Sequence, residues 1–267
     1  MFISEWLLIY IVLGGVVGFL SGLLGVGGGG ILVPLLATIF LYQGISSETV
    51  VHMALATSLA CMIVTSASSM YAHAKRKSIL WDVLVSMVPG IAIGALVTTY
   101  FAVRINADYI ALFFSLFMAL VALQAFLKWQ PKPSSSPISL MGMLIAGLVI
   151  GSVSALAAVG GGFLSVIYLR YKNIDIKKAI GTTAGIGFPI AVTATIGYIV
   201  GETKVAEPQL YTLGYVYMPA FIGVSVASLL ASPFGARYSS DLSESTLKKL
   251  FAILSLGLSV KMLISFW

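Results

Sequence analysis

Residues 14–30 read Gly14-Gly15-Val16-Val17-Gly18-Phe19-Leu20-Ser21-Gly22-Leu23-Leu24-Gly25-Val26-Gly27-Gly28-Gly29-Gly30. Glycine is a poor helix former, and a run of it breaks a helix. This run lies between apolar stretches at about 6–24 and 30–43, so a helix that is otherwise suited to hydrocarbon is interrupted there. The pattern returns once. Gly14, Gly18, Ser21, Val26, Gly27, Gly28 and Gly29 reappear as Gly147, Gly151, Ser154, Val159, Gly160, Gly161 and Gly162, at one constant offset of 133. Farther on, Ala54-Leu55-Ala56-Thr57-Ser58 pairs with Ala179-Ile180-Gly181-Thr182-Thr183. Two copies of one unit are the simplest reading.

Composition sets the environment of those units. Of 267 residues, 59% are hydrophobic and 9% are charged, against roughly 25% charged in a soluble domain. That excludes a water-soluble enzyme and a disordered chain. Continuous apolar runs, rather than strict alternation, exclude a β-barrel. Further stretches fall at about 50–72, 79–102, 107–127, 139–158, 161–171, 179–200, 212–234 and 247–267. A spanning helix needs about 20 residues. The stretches 30–43 and 161–171 are too short to span and read as half-helices or re-entrant segments. The expected class is an all-α polytopic membrane protein.

Trp129-Gln130-Pro131-Lys132-Pro133-Ser134-Ser135-Ser136-Pro137 is the one stretch that reads as a soluble linker. It divides the chain into an N-terminal transmembrane repeat (1–128), a cytoplasmic linker (129–138) and a C-terminal transmembrane repeat (139–267). Each repeat holds five apolar segments. Units with an odd number of segments insert in opposite orientations, which is the inverted-repeat plan of secondary transporters.

The charges test that plan. With Lys75, Arg76 and Lys77 placed in the cytoplasm, the same side collects Lys128, Lys132, Arg170, Lys172, Lys177, Lys178, Arg237, Lys248 and Lys249, which is 12 of the 15 basic residues. Arg104 and Lys204 fall outside, and Lys261 lies in the last segment, where a lysine snorkels. This bias places both termini outside an inner (plasma) membrane. It also accounts for the net charge of +6 without nucleic acid or an acidic partner.

The chemistry follows from what the segments carry. Freed backbone groups in hydrocarbon cost several kcal/mol each unless protein or a cavity satisfies them, so a break at membrane depth lines a site. The N–H groups that open the next half-helix favour an anion. Gly25, Gly27, Gly28, Gly29 and Gly30 of the first break, with Gly160, Gly161 and Gly162 of the second, are therefore the candidate substrate-binding backbone. The spaced pairs Gly14/Gly18, Gly18/Gly22, Gly90/Gly94 and Gly147/Gly151 read instead as close helix packing. Gly25, Gly27 and Gly30 also fit G-x-G-x-x-G, but no βαβ context surrounds them, so no dinucleotide cofactor is expected.

Hydroxyls inside spans bond to their own helix, across a helix pair, or to a ligand. Thr65, Ser66, Ser68 and Ser69 carry no further signal. Thr57, Ser58, Thr182 and Thr183 are the better ligand candidates, because the repeat places them symmetrically. No Asp, Glu or Arg sits mid-span, which disfavours a strongly held cation. His52, expected near the external end of the third segment, and His73, near its cytoplasmic end, are the candidates for proton coupling, with an interfacial polar role as the alternative. The lone Cys61 makes no disulfide or metal set. No catalytic constellation and no metal site is present. The sequence carries no sign of oligomeric state.

At these residues the chain resembles the TauE/SafE sulfite exporter family of membrane permeases. The resemblance rests on residues 18–29, their second copy at 151–162, Ala56-Thr57-Ser58 and Gly181-Thr182-Thr183, and it covers essentially the whole chain. The second copy has Ala155, Ala157 and Ala158 where the first has Gly22, Leu24 and Gly25, so the half-sites need not be equivalent. The resemblance implies export of a sulfur-containing or other organic anion, such as sulfite or a sulfonate. The expected protein is a secondary transporter working by alternating access. An anion channel on the same scaffold, or a membrane enzyme or assembly subunit, is the alternative.

Overall fold

The computed structural model describes residues 2–24, 28–127, 134, 139–201, 211–239 and 244–266. These form ten helices: α1 (Phe2–Leu24), α2 (Gly29–Tyr42), α3 (Ser47–Lys75), α4 (Trp81–Ala102), α5 (Ala107–Leu127), α6 (Leu140–Ala157), α7 (Gly162–Tyr171), α8 (Ile176–Val200), α9 (Met218–Ser239) and α10 (Glu244–Phe266). Among the described residues, seven are long and apolar enough to cross a membrane. α2 and α7, at 14 and 10 residues, are the short helices that open directly after the glycine breaks.

One segment differs from the sequence reading. Residues 212–234 look like a single apolar run, but their start is an antiparallel hairpin, β1 (Thr212–Leu213) with β2 (Val216–Tyr217), and α9 begins only at Met218. Gly214 turns the hairpin with φ +57, a conformation that glycine adopts without steric cost. Thr, Val and Tyr favour strand as readily as an apolar span, so hydropathy alone does not separate the two.

The helices pair in a pattern that exchanges the two halves. α1 packs along α9, and α6 packs along α4; α3 lies on α8, α5 on α10, α2 on α3 and α7 on α8. Counting five helices on turns each such pair into another pair of the same set, or into itself. The contacts repeat at residue level. Gly14 and Gly18 of α1 face Val224 and Ser228 of α9, while Gly147 and Gly151 of α6 face Met87 and Ile91 of α4. The glycines are related by the offset of 133, and their partners by one of 137. A Cβ at any of these glycines would strike the opposite backbone. Helices in lipid gain little from the hydrophobic effect on pairing, so backbone approach through small residues supplies the packing. The spaced glycines therefore serve packing, as their spacing suggested.

α3 and α8 form the centre. Val50 to Met62 of α3 is buried without interruption. Large apolar side chains such as Leu8, Val12, Val85, Leu116, Leu120 and Leu230 point outward from the surrounding helices, as lipid-facing residues do.

Candidate functional site

Gly28 and Gly161 are the N-caps of α2 and α7, both left-handed at φ 64 and φ 71 and neither with a side-chain cap. Helix starts leave N–H groups without intrahelical partners; Gly28, Gly29 and Gly30 are buried, and so is Gly161, while Gly162 is partly buried. Ile31 and Leu32 N–H both turn back to the Gly28 carbonyl, each at 3.2 Å. Among the described residues, nothing accepts from the N–H of Gly29 or Gly30. Gly25 and Gly27 lie outside the described residues.

The two breaks meet. Gly29 abuts the Ala158 carbonyl oxygen, and a methyl on Gly30 would lie 3.1 Å from Val159 Cγ2. Met62 of α3 sits between the breaks, with Sδ 3.2 Å from a methyl placed on Gly29 and 3.1 Å from one placed on Gly160. On α8, a methyl on Gly187 would come 3.1 Å from the Gly160 carbonyl oxygen and 3.5 Å from Ser66 Cβ. Ser58, Met62 and Ser66 recur at every fourth residue and share one face of α3. Thr183 and Gly187 share one face of α8. Gly162 opens α7, its N–H turned back to the Val159 carbonyl at 3.2 Å.

The four candidate hydroxyls separate into two kinds. Thr57 Oγ1 accepts from the Tyr217 N–H at 3.0 Å, just before α9, and Thr182 Oγ1 accepts from the Leu80 N–H at 2.9 Å, just before α4. Each satisfies a donor at a helix start in the opposite half. These hydroxyls therefore join the halves, the cross-helix alternative to a ligand role that the sequence left open. Ser58 and Thr183, the next residue along in each copy, are buried with no partner for their hydroxyls. Thr65 and Ser66 bond back to carbonyls of their own helix.

The histidines also separate. His52 is buried inside the protein, 3% exposed. Its Nε2 lies 3.1 Å from the Ile105 carbonyl oxygen, so Nε2 carries the proton and buried Nδ1 is left as an unpartnered lone pair. The ring is set among Tyr198 and Tyr215, the latter from the hairpin. His73 is half-buried at the other end of α3, with Nδ1 3.0 Å from Ser78 Oγ.

One residue was overlooked in the sequence. Ser255 of α10 is fully buried without a partner, and it lines a small cavity that also touches Gly30, Ile31, Met118 and Val159. A lone serine in an apolar helix has no local signal, which is why α10 read as a plain span. Among the described residues, no cluster of His, Cys, Asp and Glu could hold a metal ion.

A family model described as sulfite exporter TauE/SafE matches residues 10–262. The chain belongs to the TauE/SafE family. A Haemophilus influenzae protein called "Probable membrane transporter protein" is 30% identical over 259 residues, spanning 96% of this chain and 98% of its own. A relative of the same description from Methanocaldococcus jannaschii is 28% identical over 244 residues, covering 89% and 88%. One from Bacillus subtilis is 27% identical over 239 residues, covering 86% and 89%. TauE/SafE membership, with the multi-span fold, makes the chain a membrane transporter rather than an enzyme.

Proposed function

We propose that the protein is a secondary transporter that exports a small sulfur-containing or organic anion, such as sulfite or a sulfonate, across the inner membrane by alternating access. The observation that carries this reading is the start of α2, buried and without a side-chain cap, abutting the second break at Ala158, three residues ahead of the uncapped α7 N-cap Gly161. A helix N-terminus presents roughly half a positive charge, and with no ionised side chain mid-span the complementary ligand is an anion. Ser58 and Thr183 add two buried hydroxyls in search of a partner.

The exchange of helix pairs between halves supports two inverted repeats that rock against each other. The basic loops support the orientation. Lys178 Nζ donates to the Lys77 carbonyl at 2.7 Å, and Ser134 N–H donates to the Tyr171 carbonyl at 2.8 Å. The loops after α3 and α7 and Ser134 of the linker thus lie at one end, which the charge bias assigns to the cytoplasm, with both termini external. Of the two histidines, His52 better suits proton coupling, because its Nδ1 lone pair has no partner among the described residues, whereas His73 Nδ1 meets Ser78 Oγ.

The test is counterflow in proteoliposomes. Unlabelled sulfite or sulfonate inside should accelerate entry of labelled anion. Entry that ignores the trans side would point to a channel, and absence of any anion flux would overturn the reading.

A further inference from the structure

We infer that the β1–β2 hairpin is the outer gate of the transport path, closed here by the Tyr215 ring seated against α3 and α8. This rests on the transport and orientation readings above and adds the closing element to them. The first support is the seat. The turn of the hairpin lies on the end of α8: a methyl on Gly214 would lie 2.7 Å from Ile199 Cα and 3.3 Å from the Tyr198 carbonyl oxygen. Tyr215 follows, 5% exposed, its ring centroid 5.6 Å from that of His52 on α3 and 6.4 Å from that of Tyr198 on α8. Two residues on, Tyr217 meets Tyr10 of α1 and Phe40 of α2 edge-on, at 6.1 and 5.6 Å. Aromatic pairs at these separations attract beyond the area they bury. The hairpin therefore gathers both central helices and the first two helices at one end of the molecule.

The second support is what the repeat puts at the other end. By the offset of 137, Tyr215 corresponds to Ser78 and Tyr217 to Leu80. By the offset of 125 that relates Thr57 to Thr182, Tyr198 corresponds to His73 and His52 to Lys177. The backbone joint is common to both ends, since Thr57 and Thr182 accept from Tyr217 and Leu80. The rings are not. His73 Nδ1 meets Ser78 Oγ at 3.0 Å where Tyr198 packs on Tyr215. Lys177 is exposed where His52 is buried. One joint is overlaid with aromatic rings, and its counterpart with small and polar side chains.

Burial along α3 follows the same asymmetry. Val50 to Met62, toward the hairpin, is buried throughout, whereas from Ile63 to Lys75 only Ser66 is. The residues exposed on that second half are Ser68, Tyr71, Ala72 and Lys75. They are not the large aliphatic side chains that face lipid elsewhere, and a hydroxyl is costly against hydrocarbon. They suit water reaching in from the cytoplasm. The conformation is closed at the outer end and looser at the cytoplasmic one, and the hairpin is the element that must swing away for the anion to leave.

The experiment is thiol labelling of the full chain in proteoliposomes of fixed orientation, on a Cys61→Ala, Ser58→Cys background. Ser58 shares the face of α3 that carries Met62 to the breaks, and it lies inward of His52, so from outside the new thiol is reached only past the gate. A charged, membrane-impermeant methanethiosulfonate is applied from one side at a time. Tyr215→Ala should raise the outer labelling rate about tenfold, the population shift that losing two aromatic pairs allows, and leave the cytoplasmic rate no higher than before. Tyr215→Phe keeps the ring and should fall back toward the parent rate. Leu213→Ala trims an exposed residue of the same hairpin and should stay within about twofold of the parent. An unchanged outer rate in Tyr215→Ala, or a rise from both sides as a loosened fold would give, would overturn the gate. Tyr215→Phe labelling as fast as Tyr215→Ala would remove the ring as its closing element, and a rise from the cytoplasmic side alone would overturn its outer placement. The labelling needs no substrate. Failed counterflow with this pattern intact counts against the transport reading alone, and intact counterflow without the pattern counts against the gate alone.

Discussion

Replacing Gly29 by alanine adds one methyl at the point where the two breaks touch. That methyl would overlap the Ala158 carbonyl oxygen and press on Met62 Sδ at 3.2 Å. The thioether can swing away, because Met is unbranched and flexible. The carbonyl cannot, because Ala158 is itself held in a left-handed conformation at φ 49 and its N–H is bonded to the Ser154 carbonyl. One break must therefore shift by about 1 Å, an overpacking that typically costs 1–3 kcal/mol. If that cost falls on the sealed arrangement seen here, the population of that state drops about 5- to 150-fold, and flux through it drops alike. The assay is sulfite efflux from proteoliposomes, with thermal unfolding of the same preparation read in parallel. Gly15→Ala is the matched control, since no atom lies within 4 Å of its added methyl; it should leave flux at the parent level and stability at the parent level or slightly above it, because alanine favours a helix interior over glycine. Parent-level flux and stability in Gly29→Ala would refute the contact between the breaks on which the site is built.

Thr57→Val and Thr182→Val each strand a buried helix-start N–H, of Tyr217 and of Leu80 respectively, so each should lower stability by about 1–3 kcal/mol and leave the ligand dissociation constant unchanged. A variant that keeps its melting temperature but loses affinity would make the hydroxyl a ligand group after all. Ala158→Gly relieves a left-handed alanine, worth about 1–2 kcal/mol, but loses a buried methyl and gains chain entropy on unfolding, together of similar size. It should stay within about 1 kcal/mol of the parent in thermal unfolding, whereas Ala158→Val, β-branched at positive φ, should be strongly destabilised. His52→Gln keeps a donor for the Ile105 carbonyl but cannot titrate. Its efflux without a pH gradient should persist while stimulation by an imposed gradient disappears; retained stimulation would remove His52 from coupling.

Much of the fold was legible because hydrocarbon imposes length and apolarity on every spanning helix. The short segments read at 30–43 and 161–171 are α2 at Gly29–Tyr42 and α7 at Gly162–Tyr171. Glycines at every fourth residue pack against facing backbone because only glycine lets the chains approach so closely. The hairpin at 212–217 was missed because hydropathy is blind to hydrogen-bonding pattern. The burial of His52 was missed because Tyr198 and Tyr215, which enclose it, come from distant parts of the chain.

The candidate backbone positions at 28–30 and 160–162 lie at helix starts, while the candidate hydroxyls divide into two kinds, and helix geometry explains why. Thr57 and Ser58 are neighbours in sequence, yet successive helix residues point about 100° apart. One hydroxyl therefore reaches the Tyr217 N–H of the opposite half while the other stays unpaired. Sequence symmetry made the two threonine–hydroxyl pairs look alike and equally placed. It could not indicate that each threonine oxygen would accept from a helix-start N–H of the opposite half. The same symmetry overstates the equivalence of the breaks. Glycines mark where backbone is uncovered, but what stands opposite differs: Ser255 and a small cavity at Gly30, against Phe117 packed edge-on to the phenylalanine that replaces that glycine at 163. Duplication supplies two helix starts of one backbone plan, and a few non-equivalent neighbours then surround them differently.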